Sequence, residues 1–196
     1  MEIEEGLPFA PTVTARTIDR ILDDDRGWAT VAGRTFHQVA EAGELRMLIA
    51  TPETTDVLCA PLRTNGEVSC RNGDLVVLNA RRWAFGTDDY QDAVPMYRTY
   101  LVNHEVGHAI GYAHADCPGP GERAPVMQQQ TYGLDGCRRN PWPNVAESQR
   151  RAPSHGRSDQ SAGVSTEDGG AAGDDHLDYR GHRQRDRRRQ QDGRTQ

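Results

Sequence analysis

Residues 104 to 114 read HEVGHAIGYAH, and this stretch matches the pattern HExxHxxGxxH at every defined position. Its first two histidines, His104 and His108, are four residues apart. On a helix they therefore lie one turn apart on the same face and can bind one ion from the same side. Glu105 lies beside them, within reach of a water molecule on that ion.

The second half of the pattern points more specifically to a metal site. A straight helix would carry His114 away from the face of the first two histidines, whereas Gly111 can adopt a left-handed conformation that turns the chain back. The alternative is an amphipathic helix with histidines on its polar face, which explains neither Gly111 nor His114. We therefore predict one Zn²⁺ bound by His104, His108 and His114. Three neutral imidazoles leave an open coordination position, as in catalytic sites, and Glu105 is then the predicted general base for a zinc-activated water.

At these residues the sequence resembles the metzincin clan of zinc endopeptidases, which bind zinc through the motif's histidines and use its glutamate as general base. The resemblance implies an α+β zincin-like fold, with a small mixed sheet and a central active-site helix that carries HExxH. The clan also has a methionine in a tight turn beneath the metal. Met127, the only methionine after the motif, is its implied counterpart, although a gap-filling core methionine is the other interpretation. The residue after the third histidine, often acidic in the clan, is Ala115 here.

A longer set of motifs, between Cys59 and Pro143, is similar to an uncharacterised family of exported bacterial proteins known only as a domain of unknown function. The motifs are CAPL, SCRNGD, NHEVGHAIGYAH, CPGPG, APVMQQQT and LDGCRRNPWP. The resemblance implies an extracellular or cell-envelope protein. The chain opens MEIEEGLPFAPT, with no signal peptide and no apolar run that could span a membrane. Either the protein is cytosolic or the start of the domain lies upstream of Met1, and because the similar family is exported we expect an N-terminally shortened domain.

The four cysteines favour disulfide bonds. They contain no CxxC pair, so a cysteine zinc site or a thioredoxin-like motif is not expected. Of the three possible pairings we favour the most local, which join Cys59 to Cys70 and Cys117 to Cys137. The first would close a hairpin around the turn-prone pair Asn65–Gly66. Four reduced cysteines in a cytosolic protein are the alternative.

Composition divides the chain near residue 147. Residues 1–147 are predicted to form the metallopeptidase domain, and residues 148–196, rich in Arg, Asp, Gln and Gly, to be a disordered tail. His155, His176 and His182 lie in this tail and are poor ligand candidates. The tail has a net charge of +2, which leaves −8 for the rest of the chain. Because this is the wrong sign for binding phosphates, no nucleic-acid partner is expected.

Hydrophobic periodicity predicts two helices. The first is capped by Thr12 or Thr14, ends near Gly27, and has an apolar face made of Ala15, Ile18, Ile21 and Leu22. The second runs from about Pro95 to Ile110. It is apolar on two opposite sides, so we expect it to be the central helix.

Three short strands are predicted at Thr35–Val39, Leu45–Ala50 and Leu75–Leu78. The central helix would lie across the sheet that they form, with its histidines facing a cleft.

These observations predict a monomeric zinc endopeptidase that hydrolyses peptide bonds in protein or peptide substrates outside the cytoplasm. One alternative is a non-enzymatic module in which zinc and disulfides provide stability or partner binding. Another is a hydrolase of a non-peptide amide, such as a cell-wall linkage. Tyr112 or Tyr132 could donate a phenol hydrogen bond to the oxyanion, although a packed or surface tyrosine is the favoured interpretation of each.

Overall fold

The computed structural model describes residues 1–40 and 43–149, which are organised around a four-stranded sheet. The strands are β1 (Glu2–Ile3), β2 (Arg46–Ala50), β3 (Cys70–Asn72) and β4 (Leu75–Asn79). Their order in the sheet is β1-β2-β4-β3. The pairs β1–β2 and β2–β4 are parallel, and β3 is antiparallel to β4. The predicted α+β class with a small mixed sheet is confirmed.

The central strands are buried on both faces, which explains their nearly continuous apolar sequences. In β4, Val76, Val77 and Leu78 have no solvent exposure. Two of the strand predictions, Leu45–Ala50 and Leu75–Leu78, are confirmed to within one residue.

The strand predicted at Thr35–Val39 is wrong, because these residues form no β ladder. The position beside β2 is taken by β1, where Glu2 pairs with Leu48 and Ile3 with Ile49. Since β4 lies on the other side of β2, no edge of β2 remains for another strand.

The described helices surround this sheet. They are α1 (Pro11–Leu22), α2 (Trp28–Ala32), α3 (Pro52–Leu58), α4 (Ala80–Phe85), α5 (Val94–Ala109) and α6 (Val145–Ser148), with a 3₁₀ turn at Asp88–Tyr90. None of them is long and apolar enough to cross a membrane.

The first predicted helix exists, but its predicted ends are wrong. Ala10 is the N-cap and provides no side-chain hydrogen bond, so neither Thr12 nor Thr14 caps the helix. The helix begins instead with Pro11, whose fixed φ and missing N–H suit the first helical position. It ends at Leu22, and a second helix starts directly after Gly27.

Helix α5 is central, as its two apolar sides predicted. It packs against α1, α4, β3 and β4. From Tyr100 to Gly107 every residue is buried. The motif therefore lies where the helix is most enclosed by the rest of the domain.

Both disulfides form with the predicted pairing, Cys59–Cys70 and Cys117–Cys137. The hairpin predicted between the first pair is wrong, because Cys59 follows helix α3 and only Cys70 lies in a strand. Asn65 and Gly66 do form a left-handed turn, with φ values of 52° and 65°. The turn joins a helix to a strand.

The prediction of a disordered tail concerns residues 148–196. Apart from Ser148 and Gln149, these residues lie outside the described part of the chain, as do His155, His176 and His182.

Candidate metal centre

Three histidines meet at the end of α5. His104 and His108 lie one turn apart on the helix, and His114 lies in the segment that follows it. Their candidate ligand atoms are all within 4.8 Å of one another. One pair, Nε2 of His108 and Nε2 of His114, is 3.0 Å apart.

Backbone carbonyls orient two of the three rings. Nδ1 of His104 lies 2.8 Å from the carbonyl oxygen of Val126, and Nδ1 of His108 lies 2.9 Å from that of Tyr112. When Nδ1 donates its proton to a carbonyl, Nε2 keeps a free lone pair. Metal-binding histidines in proteins are commonly oriented in this way.

Gly111 produces the turn that returns the chain to the cluster. Its φ is 95°, a left-handed value that residues with a Cβ rarely adopt. The turn is closed by hydrogen bonds from the Gly111 amide to the carbonyl of His108 (3.1 Å) and from the Tyr112 amide to that of Gly107 (2.9 Å). His114 therefore points back toward the helix face that carries the other two histidines.

Burial keeps the imidazoles in the neutral form that binds metals. It lowers the pKa of His104 well below the usual value, and it also lowers the pKa of His108. His114 is the most exposed of the three, but partial burial of its ring, assisted by the nearby His108, lowers its pKa to about 4.

The chemistry and spacing of these donors fit zinc. A tetrahedral zinc ion with Zn–N bonds of about 2.0–2.1 Å holds its ligand nitrogens roughly 3.3 Å apart. In the cluster one pair of ligand atoms is 3.0 Å apart and no pair is more than 4.8 Å apart, so the observed range includes that value.

Glu105 lies next to the cluster and is 4% exposed. It lines the same cleft as the three histidines. No described residue donates a hydrogen bond to its carboxylate. Burial raises the pKa of Glu105 to about 8, so the group has a high affinity for a proton near neutral pH.

Met127 packs beneath the helix and is 1% exposed. Contact with α5 is possible because residue 107 is glycine. A Cβ there would collide with Sδ of Met127 and would lie 2.8 Å from Cζ2 of Trp28. Gly107 escaped the sequence analysis, although a glycine inside a helix costs about 1 kcal/mol relative to alanine and so signals a packing requirement.

The two tyrosines proposed from the sequence occupy different environments. Tyr112 is buried and stacks on Trp28, with ring centroids 4.5 Å apart, so it is a packed tyrosine. Tyr132 is 62% exposed and lines the cleft together with the histidines.

The cleft itself is small, about 100 Å³. It is lined by the histidine face of α5, by residues 62–63 and 68–70, and by residues 129 and 131–132. A second cavity of about 160 Å³ adjoins it. A larger cavity of about 570 Å³ lies between α1 and β2 and includes neither Glu105 nor any histidine of the cluster, so we do not assign the metal chemistry to it.

A buried carboxylate, that of Glu147, binds the backbone of the segment that contains Met127. Oε1 of Glu147 accepts a hydrogen bond from the Met127 amide at 2.8 Å, and Oε2 accepts one from the Asn144 amide at 2.9 Å. Sequence reasoning missed this contact. A signal for it exists, because Asn144 and Glu147 have the spacing of a helix capping box, which the structure contains.

The chain was compared with protein families, curated proteins and solved structures. Residues 1–144 match the family described as "Protein of unknown function (DUF3152)". No curated protein and no solved structure matches the chain. Because the match covers most of its length, the chain belongs to this family of proteins of unknown function.

Proposed function

We propose that this protein is a zinc-dependent endopeptidase of the metzincin type. The observation that carries the proposal is the convergence of three histidines, two of them oriented by backbone carbonyls, and one buried, unpartnered glutamate in a single cleft. His104, His108 and His114 would hold the ion. When bound, zinc polarises a substrate carbonyl and lowers the pKa of a water molecule.

Glu105 would be the general base. Its carboxylate, when ionised, would take a proton from the attacking water, and the burial that raises its pKa makes it a stronger base than an exposed glutamate. The same carboxyl then gives that proton to the nitrogen of the leaving amine. One residue therefore serves both proton transfers.

Tyr132 is the better placed of the two tyrosines to assist. Its side chain lines the cleft, where a phenol hydroxyl would donate a hydrogen bond to the carbonyl oxygen as negative charge develops on it. Tyr112 is enclosed against Trp28 and would act only through packing.

Several features support the metzincin assignment. The central helix carries HExxH, the left-handed Gly111 ends it, and the only later methionine packs against that helix at Gly107. A methionine beneath the metal is the feature that the resemblance implied for Met127. The small mixed sheet is also compatible with a zincin-like fold.

The two disulfides indicate an oxidising environment. We infer that the protein acts outside the cytoplasm. Its substrates would then be exported or extracellular proteins and peptides.

The direct test measures metal content and hydrolysis on the full chain. The purified protein should bind about one zinc and cleave an unstructured protein such as reduced casein. Glu105→Gln should retain the zinc and lose roughly 10²–10⁴-fold in kcat/KM, the range for removal of a general base. Glu53→Gln is the matched control, because Glu53 is exposed on α3 and lines neither the cleft nor its neighbouring cavity.

Two results would contradict the proposal. One is a zinc-loaded Glu105→Gln protein that cleaves as fast as the wild type. The other is a zinc-loaded wild type that cleaves no peptide bond. In that case, a panel of cell-wall amides in the same assay would test the alternative, hydrolysis of a non-peptide amide. Loss of thermal stability on chelation without any hydrolysis would favour the non-enzymatic module.

A further inference from the structure

The cavity of about 160 Å³ beside the candidate metal centre shares lining residues with the cleft that contains the histidines. His114, Gln129 and Tyr132 line both spaces. A volume of this size holds about five water molecules, at about 30 Å³ each, so it suits one long side chain. A substrate held at the metal would place a neighbouring side chain there.

Two carboxylates line this cavity, on Asp116 and Asp135. Both residues are exposed, and neither forms an ion pair or hydrogen bond with any described residue. No arginine contributes to the lining, and the sequence contains no lysine. The negative charge of the cavity is therefore not neutralised by the described part of the chain.

A third hydrogen-bond acceptor, in addition to the two carboxylates, distinguishes this cavity from a simple patch of acidic side chains. Gln128 also lines it and is 3% exposed. Its Nε2 donates to the carbonyl of Leu134 at 2.9 Å, which fixes the amide, while its Oε1 is buried and has no hydrogen-bond partner. A buried oxygen without a donor is costly, so a ligand that brings an N–H group is favoured.

The required ligand chemistry follows from these three side chains. They offer only acceptors and two negative charges, and an apolar side chain would leave Oε1 of Gln128 unpaired. A guanidinium group has five N–H donors and a permanent positive charge on a long apolar stem. It can satisfy a carboxylate and an amide oxygen at the same time.

We propose that this cavity is a specificity pocket for a basic side chain, arginine above all, at a substrate position next to the scissile bond. The substrates would then be peptides cleaved beside arginine. As a statement about cleavage this rests on the proposed endopeptidase function, whereas the pocket itself is testable by binding alone.

The test compares two peptides that differ only in charge and donors. One is a capped alanine peptide with a central arginine, and the other has citrulline, the neutral isostere, at the same place. Binding is measured by calorimetry on the full chain, zinc-loaded and carrying Glu105→Gln so that neither peptide is consumed. We expect the arginine peptide to bind at least about tenfold more tightly, as for a hydrogen bond to a charged group.

Adding Asp116→Asn and Asp135→Asn should bring the two affinities together. Both side chains are exposed, so the fold should tolerate the change. The matched control is Asp23→Asn with Asp25→Asn, which removes the same charge from residues that line neither space. The preference for arginine should survive in that control.

Equal affinity for the two peptides would overturn the pocket proposal, and so would a preference that persists after Asp116 and Asp135 are neutralised. Cleavage of the arginine peptide by the wild type is scored separately. Failure of cleavage with an intact binding preference would count against the peptidase and not against the pocket.

Discussion

The candidate metal centre joins two regions that are held together in different ways. Residues 46–109 consist largely of strands and helices, whose backbone groups pair with one another. Residues 110–144 contain no helix or strand. They are held by separate backbone hydrogen bonds, such as that from the Ala124 amide to the carbonyl of Arg138, by the Cys117–Cys137 disulfide and by side chains that bond to backbone. Nε2 of Gln130 donates to the carbonyls of Pro125 (3.0 Å) and Asn140 (2.8 Å), and Nδ2 of Asn140 donates to that of Ala124 (2.8 Å).

The difference matters because the site needs both regions. The regular region supplies His104 and His108, while the irregular region supplies His114, Met127 and the carbonyl of Val126 that orients His104. A backbone ladder tolerates many side chains, whereas the irregular region depends on particular ones. Substitutions there should therefore disturb the metal centre more than comparable substitutions around the sheet.

The two disulfides provide the largest test of this contrast. Each closes a short loop, with separations of 20 residues for Cys117–Cys137 and 11 for Cys59–Cys70, so removing either should cost roughly 3 kcal/mol of unfolding free energy. Their effects on zinc should differ. The double variant Cys117→Ser/Cys137→Ser should bind zinc about tenfold more weakly, as for a lost supporting interaction around a metal ligand.

The control is Cys59→Ser/Cys70→Ser. Although Cys70 lines the cleft, it stays paired with Val77 in the sheet, so zinc affinity should change little. Urea denaturation gives the free energies, and competition with a chromogenic chelator gives the affinities. The contrast between regions fails if both variants lose zinc to the same degree.

A smaller effect is expected at Glu147. Replacing it with alanine leaves the amides of Met127 and Asn144 without their carboxylate partner, and a buried unpaired donor costs about 1–3 kcal/mol. Glu147→Gln keeps one acceptor oxygen and should lie between the wild type and Glu147→Ala. Urea unfolding of the three proteins measures this order. A Glu147→Ala protein as stable as the wild type would show that the carboxylate does not hold the methionine segment.

The same contrast explains what could be predicted from the sequence. Helix α5 and strands β2 and β4 follow from hydrophobic patterns, because regular structure repeats and leaves a period in the sequence. Strands β1 and β3 have two and three residues, too few to leave such a period.

In the candidate site, the three histidines and Glu105 could be predicted from the motif, because they lie close together in the sequence, on one helix and one glycine turn. The partners of the histidines are not local. Val126 is 22 residues from His104, and the contact of Gly107 with Met127 exists only after the irregular segment has folded under the helix. No periodicity encodes such contacts, so they had to come from the structure.

The smallest predicted effect concerns Glu4, a carboxylate that binds the regular region at Thr51 and Thr54, as Glu147 binds the irregular region, but at a more exposed position. Glu4 accepts hydrogen bonds from the amide of Thr51 (2.6 Å) and from the hydroxyl of Thr54 (2.8 Å), and so ties the N-terminal strand to the start of α3. The Thr51 amide is the main reason that the pKa of Glu4 lies below its usual 4.5. Because the folded state holds this group ionised, its contribution is full above pH 4.5 and is lost as the pH falls below that value.

We therefore expect Glu4→Gln to lower stability by less than about 1 kcal/mol at neutral pH, in the range of a helix-cap substitution. Thermal unfolding of the two proteins should converge as the pH falls below 4.5. Glu5→Gln removes the same charge from the next residue, which is exposed, and separates the effect of these hydrogen bonds from that of net charge. If Glu4→Gln costs as much as Glu147→Gln, the regular region depends on single polar contacts as strongly as the irregular one, and the contrast drawn between them is wrong.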